Sequence, residues 1–359
     1  MSIEKVRQLL HEEQLDGLLL RKRQNFSWIT GGSQNEIVLT SPIGVADVLV
    51  FPDTITIVTT KQEERRILEE ELVSFPYEVN IVAVDWFTPT EPVIHELCLG
   101  KEMGSDDFFP PFRLMSEELS RIRAVLTAKE RERYRRLCLE TAQIVEEVCY
   151  ALMPGQSEHD IASMIGQRAL SCGMNVQVLL VATDERIYKY RHPLPTNKTL
   201  EKHALLVLCA ERGGLVANVT RVVHFGPLPA LLQEHKEKLA RIDTAFVATT
   251  VPGKTIGEVF LQGIGQYDEE GHKEDWRLLH QGGQTGFDSR ELIADKETTR
   301  VIEEHMVFTW NPSLPGVKSE DTLLVTKNGN EVLTDTNKWP RIQTVWDGNV
   351  FYRPDILIR

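Results

Sequence analysis

Two helix–break–helix phrases, 98 residues apart, constrain this chain more than any bulk property does. The first reads Leu152-Met153-Pro154-Gly155 and follows a long amphipathic run. The second reads Thr250-Val251-Pro252-Gly253 and follows a helical stretch at 230–248. Proline cannot continue a helix and glycine lets the chain reverse, so each phrase ends one helix and opens the way to another. Matched phrases at this spacing point to an internal duplication.

The helix before the first phrase has a defined start. Thr127-Ala128-Lys129-Glu130 is a capping box, in which the Thr hydroxyl accepts from the backbone N–H three residues on and the Glu carboxylate reaches back. Tyr134, Leu137, Thr141, Ile144, Val145, Val148 and Leu152 then share one face. Ser157 caps the next helix, which carries Ile161, Met164 and Ile165. Strand runs follow at 176–183, 204–210, 221–225, 306–310 and 321–326. Ahead of this region the texture differs. Ile3, Val6, Leu9 and Leu10 form a helical stripe, and Leu18-Leu19-Leu20 reads as a buried strand. Strands at 46–51 and 54–59 and a charged helix at 62–72 follow. Alternating strand, turn and helix make this an α/β chain, with domains expected at 1–125 and 126–359.

With 359 residues the chain is long enough for two cores, and 26% charged residues are ordinary for a globular protein. A net charge of −13 argues against a nucleic-acid partner, which needs a basic surface. No apolar run reaches 18 residues and none at the N-terminus reads as a signal peptide, so no membrane partner and a cytoplasmic location are expected. The five cysteines, Cys98, Cys138, Cys149, Cys172 and Cys209, form no CxxC and are expected as buried free thiols.

Several phrases occur in a telling order: Lys129-Glu130, Met153-Pro154-Gly155-Gln156-Ser157-Glu158, Arg191-His192-Pro193-Leu194-Pro195, Asn218-Val219-Thr220-Arg221, His280-Gln281-Gly282-Gly283-Gln284-Thr285-Gly286 and Gly316-Val317-Lys318-Ser319-Glu320-Asp321. Together they resemble the pita-bread metallopeptidase family of Xaa-Pro aminopeptidases, prolidases, methionine aminopeptidases and creatinases. The first 125 residues, with Asn25-Phe26-Ser27-Trp28-Ile29-Thr30-Gly31, resemble the creatinase-type N-terminal domain. The resemblance implies an α/β (α+β) fold: that N-terminal domain, then a pita-bread domain with a pseudo-twofold repeat. It also implies a homodimer.

The family builds a two-metal centre from two Asp, one His and two Glu, which bind two Mn, Co or Zn ions. Carried over by motif, those positions fall on Val207, Asn218, Gly283 (or its neighbour Gln284), Asn311 and Glu320; Arg290-Glu291 matches a following His-Glu pair. One acid of five is too few for two hard divalent ions. A degenerate site with no metal and no cofactor is therefore expected.

His192 matches the position where the creatinases keep a proton-shuttling histidine, and an imidazole suits such work. His192 and Glu320 are the catalytic candidates if the chain is active. His192, Arg221, His280 and Arg290 are the candidates for holding substrate. Arg290 is placed to pair with Glu320 or to bind a carboxylate in bidentate fashion. The blander alternative makes Glu320 a buried acid paired with Arg221, and His192 a structural histidine. The remaining histidines (His11, His95, His159, His203, His224, His235, His272 and His305) are expected at exposed helix or loop positions or strand ends. The acidic run Asp268–Asp275 is expected as a solvated loop, with a lid as the alternative. Three functions stay open: a binder of a peptide or small amide, a metal-independent creatinase-like C–N hydrolase using His192, and an Xaa-Pro metallopeptidase with a rearranged site.

Overall fold

The computed structural model describes residues 2–359. By their contacts they divide into two units. One runs to Ala124 and takes in Gly213–Leu215; the other comprises Val125–Arg212 and Val216–Arg359. Each mixes helices with sheet, as the α/β reading expects. Among the described residues no helix is long and apolar enough to cross a membrane.

The first unit is built on a six-stranded sheet in the order Asn80–Val84, Ile55–Thr60, Ile43–Val50, Gly17–Lys22, Met103–Ser105, Arg113–Leu114. The strand Gly17–Lys22 pairs antiparallel with Ile43–Val50 and parallel with Met103–Ser105. Its residues 17–20 are all buried, which is why they read as a continuous apolar run instead of alternating. The helix Ser2–Glu12 buries Ile3, Val6, Leu9 and Leu10, the stripe its spacing predicts. The phrase at 25–31 has a structural purpose here. Asn25, 1% exposed, donates to Asp106 at 2.8 Å and accepts from Arg123. Asp106 also accepts the backbone N–H groups of Arg21 and Lys22 at 2.9 Å. The helix Arg23–Thr30 is thereby clamped to the sheet through a satisfied buried polar cluster.

The second unit runs through one element order twice. Helices Ala128–Ala151 and Glu158–Ser171 lead to strands Asn175–Thr183, His203–Arg212 and Leu215–His224. Helices Ala230–Thr249 and Ile256–Glu269 lead to strands Gly282–Thr285, Val307–Trp310 and Asp321–Leu324. The duplication reaches beyond the two Pro-Gly phrases. Gly155 and Gly253 both take a left-handed backbone, with φ of 95° and 91°. Each is followed at the same offset by a capping box, Ser157 with Asp160 and Thr255 with Glu258. The first strand trio, with Leu357–Ile358, forms a four-stranded sheet. The second, with Leu292–Ile293 and Glu331–Val332, forms a five-stranded one. The halves join where Thr220 N–H donates to Glu320 O at 3.0 Å and Asn218 N–H donates to Thr322 Oγ1 at 3.0 Å.

A chain of buried charges runs beside this joint. Arg221 donates to Glu146 at 3.0 Å and to Asp321 at 2.9 Å; Arg353 donates to Asp321 at 2.9 Å and to Asp243 at 2.6 Å. None of the five side chains is more than 5% exposed. Three details depart from the sequence reading. His235 is buried on its helix with Nδ1 2.8 Å from Pro315 O, because the loop carrying Pro315 covers it. Cys172 is exposed while the other four thiols are buried. The acidic run is largely solvated but pinned, with Glu270 held in bidentate fashion by Arg241 at 2.6 and 2.7 Å.

Removing one member of a buried ion network leaves its partners uncompensated. Arg353→Met is expected to lower unfolding stability by about 3–5 kcal/mol, because Asp243 and Asp321 lose a shared cation. Urea unfolding followed by circular dichroism measures it, and a loss under about 1 kcal/mol would show that the network is dispensable.

Candidate functional site

A cavity of about 320 Å3 opens where strands of the two halves meet. Val178 and Leu180 from one strand, and Val207 and Cys209 from the next, supply an apolar wall. Each pair is two residues apart on an extended chain, so both members face the same way. The polar lining comes from His192 after the short helix Glu185–Lys189 and from His280, Ser289, Arg290, Asn311, Lys318 and Glu320 in the second half. A concave, part-apolar space with a few convergent polar groups is the usual form of a small-molecule site.

Glu320 is the centre of the polar side. It is 1% exposed, and both carboxylate oxygens are engaged. Oε1 accepts from Arg290 at 2.9 Å; Oε2 accepts from Lys318 Nζ and from Thr220 Oγ1, each at 2.7 Å. Burial alone would raise this carboxyl. The adjacent Lys318 and Arg290 outweigh burial, and with the hydrogen bonds from Lys318 and Thr220 they hold it down to about 2 from 4.5. Glu320 is thus ionised at neutral pH. Burial, with Arg290 and Lys318 nearby, pushes His280 down to about 4, and burial with Lys318 lowers His192. Both imidazoles are neutral at pH 7, and burial pushes the Cys209 thiol up to about 12. The lining then carries two cations and one anion.

Asn218 supports this arrangement from the joint between the halves. Its Oδ1 accepts from Arg290 at 3.1 Å, while Nδ2 donates to Thr285 and Thr309 hydroxyls at 3.2 and 3.3 Å. Both hydroxyls already donate elsewhere, Thr285 to Asp288 O and Thr309 to Thr322 Oγ1, so here they accept and an amide fits this position. Three buried polar atoms of the lining have no partner within the protein: Arg290 Nε, His280 Nδ1 and Asn311 Oδ1. Buried polar atoms are normally satisfied, and these three stand out as unsatisfied donors and acceptors among the lining residues.

Six residues named from the sequence line the cavity: His192, Val207, His280, Arg290, Asn311 and Glu320. Arg221 does not, which corrects its expected place at the substrate. It follows Thr220 on an extended strand and so points to the opposite face, where Glu146, Asp321 and the backbone oxygens of Thr220 and Thr334 take its donors. The alternative pairing of Glu320 with Arg221 fails for the same reason; its partners are Arg290 and Lys318. Gly283 is in the adjoining sheet, where a Cβ would meet Leu292 O at 2.2 Å, so no side chain fits there. Gln284 is buried and accepts from Arg300 at 3.0 Å. Lys318 escaped the sequence reading. Its signal was its position two residues before Glu320 in an extended phrase, which places both on one face.

The depressed Glu320 carboxyl fixes a sign for pH dependence. Its contribution to stability is full above pH 4.5 and is lost as pH falls toward 2. Glu320→Gln leaves two unneutralised buried cations, so it is expected to be less stable than the native chain at pH 7, with the gap closing between pH 4.5 and 2. Urea melts of both proteins across that range test it; a gap that stays constant with pH would contradict the assignment.

Residues 132–327 match the metallopeptidase family M24. Among similar proteins is the Xaa-Pro dipeptidase of Pyrococcus furiosus, 23% identical over 94% of this chain and 98% of the relative. The fold is similar to that of the prolidase from Pyrococcus horikoshii OT3, with a TM-score of 0.78, 19% identity and coverage of 93% of this chain and 98% of that one. It is similar also to the Xaa-Pro dipeptidase from Bacillus anthracis, with a TM-score of 0.78, 18% identity and coverage of 100% and 99%. These matches correct the expectation that no cofactor is involved, since the matched family is one of metallopeptidases. The donor set of this cavity does not fit such an ion. Its one carboxylate is already taken by two cations and a hydroxyl, and hard divalent ions need several oxygen ligands. Among the described residues no three His, Cys, Asp or Glu side chains are grouped to hold a metal. Matched over more than half its length and folded like these peptidases, the chain belongs to metallopeptidase family M24 and has its pita-bread fold.

Proposed function

We propose that this member of the Xaa-Pro peptidase family binds a peptide or small amide in the cavity and does not cleave it. The observation that carries the reading is the fully engaged Glu320 beside three unpartnered polar atoms. A peptide unit offers both an acceptor and a donor. With these side chains turned toward the cavity, its C=O suits Arg290 Nε, its N–H suits Asn311 Oδ1, and His280 Nδ1 can serve either. Val178, Leu180 and Val207 provide an apolar wall for a side chain. The similar proteins, Xaa-Pro dipeptidases and a prolidase, support a peptide-like ligand.

The chemistry of the same groups weighs against hydrolysis through His192. Glu320 is held as an ion by Lys318 and Arg290, so it is a poor proton donor. Its oxygens are occupied by other partners and do not orient the His192 ring. An imidazole lowered from its ordinary value because burial and the nearby Lys318 outweigh the charge of Glu320 is a weak general base.

Calorimetric titration with alanyl-proline and N-acetyl-alanine amide tests the binding. A parallel assay for released amino acid, with manganese, cobalt or zinc added, tests the absence of cleavage. Saturable binding without product is expected, and Asn311→Leu should weaken it about tenfold by removing a buried acceptor. Sustained release of proline would overturn the reading and establish a peptidase.

A further inference from the structure

Two histidines outside the cavity meet where two of its lining segments are anchored. His235, buried on the helix Ala230–Thr249, has Nδ1 2.8 Å from Pro315 O. His272 has Nδ1 2.7 Å from Asp275 Oδ2. The rings pack edge to face, with centroids 5.2 Å apart and planes at 87°. Carbonyl and carboxylate oxygens only accept, so both Nδ1 atoms carry the hydrogen, and each neutral ring takes its second proton at Nε2. Asp275 compensates a charge on His272. The other acids around the pair are each bound to a cation of their own. Glu234 holds Lys238 at 2.7 Å, Glu270 holds Arg241 at 2.6 Å, Asp268 holds Lys273 at 3.4 Å, Glu274 holds Arg277 at 2.9 Å and Asp355 holds Lys236 at 2.8 Å. Residues 313–317, the turn across from His235, carry no ionisable side chain. The Tyr267 hydroxyl is taken by Gln281 and Ser313, and Arg191 adds a further cation beside it. One charged ring is therefore compensated here, whereas two would be neighbouring cations sharing a single anion.

Both segments that meet at the pair lead into the cavity. The turn held by His235 joins Ser313–Leu314 to Val317–Lys318, which ends in the cavity residue Lys318. The segment carrying His272 is fastened by the His272 N–H to Tyr267 O at 2.8 Å and runs on to the cavity residue His280. We propose that His235 and His272 form an acid-sensitive latch on the cavity. With at most one ring charged, the segments stay together. A second proton drives the rings apart, frees residues 270–279 from the turn at 313–316 and loosens His280 and Lys318. The closed latch binds fewer protons than the open one, so acid favours opening. Imidazole is the side chain whose charge changes most readily near neutrality, which makes a pair of them suited to this task. The latch stands on the packing of the two rings; only its effect on binding rests on the reading of the cavity as a peptide or amide site.

Amide hydrogen exchange read by mass spectrometry at pH 7.5 and pH 5, corrected for the intrinsic effect of pH on exchange, tests the latch without a ligand. Peptides covering 270–279 and 312–317 should open about tenfold more often at pH 5, while the helix Ala128–Ala151 keeps its protection. His280, held down to about 4, and Glu320, held down to about 2, keep their charge states at pH 5, so those two cavity groups do not produce the change. His272→Asn and His235→Asn each keep a donor for the oxygen now bound and remove one of the two charges, so each should abolish the acid response. The comparison on the native protein stands even if a variant folds poorly. Equal or slower opening at pH 5 would overturn the latch, and so would an acid response that survives in both variants. Calorimetry with alanyl-proline then reads the consequence, a Kd several times higher at pH 5 than at pH 7.5 in the native protein and nearly constant in His272→Asn. Acid opening with an unchanged Kd would overturn the latch's hold on the cavity. Absence of binding at both pH values would remove the amide reading and leave the exchange result to judge the latch.

Discussion

The second unit depends on a run of five charges taken out of water: Glu146, Arg221, Asp321, Arg353 and Asp243. Burying any one of them alone is prohibitive, and each becomes tolerable only when its neighbours are in place. The run draws on a helix and a strand from the first half, a helix and a strand from the second, and the C-terminal strand Asn349–Pro354. It specifies how these elements meet more sharply than apolar packing does, since a slip of one residue would leave a charge without its partner. Thr334 completes it, donating to Asp321 at 2.8 Å through its hydroxyl and accepting from Arg221 at 2.9 Å through its carbonyl.

Framework and cavity are two faces of the same backbone. Glu320 lines the cavity and Thr220 holds its carboxylate, while their neighbours Arg221 and Asp321 face the buried run. Alternation along extended chain lets one short segment satisfy a structural ion pair and a ligand-facing one within adjacent residues. The same rule sets the apolar wall, where every second residue of two strands contributes. Asn218 then locks the guanidinium of Arg290, so the polar groups meeting in the cavity are held in place without help from solvent.

Much of this was legible in the sequence because its signals are local. Capping boxes, Pro-Gly breaks and the stripe on the first helix report backbone choices made within a few residues. The ordered phrases resembled one fold, and the matched family and similar structures have that fold. Six of the named residues converge on one cavity. What escaped depended on tertiary contact or on reading a phrase as a block. Arg221 looked like a site residue because it adjoins Asn218 and Thr220, although alternation sends it away. Lys318 looked like an ordinary charged residue until its ammonium was found on Glu320. The expectation of no cofactor drew on residue types at a few positions, and family membership overrides it.

The pairing of residues 100 apart has a kinetic meaning. Thr220 meets Glu320 and Arg221 meets Asp321, each across a separation of 100 residues. A first half that closed by itself would trap Arg221 with Glu146 and no second anion. A second half alone would trap Asp321 with Arg353 and Asp243. Neither half can mature as an independent module, although each begins with its own capped helices. The repeat that looks like two copies in sequence is therefore completed only by long-range closure between its halves, and non-local pairing of that kind slows folding.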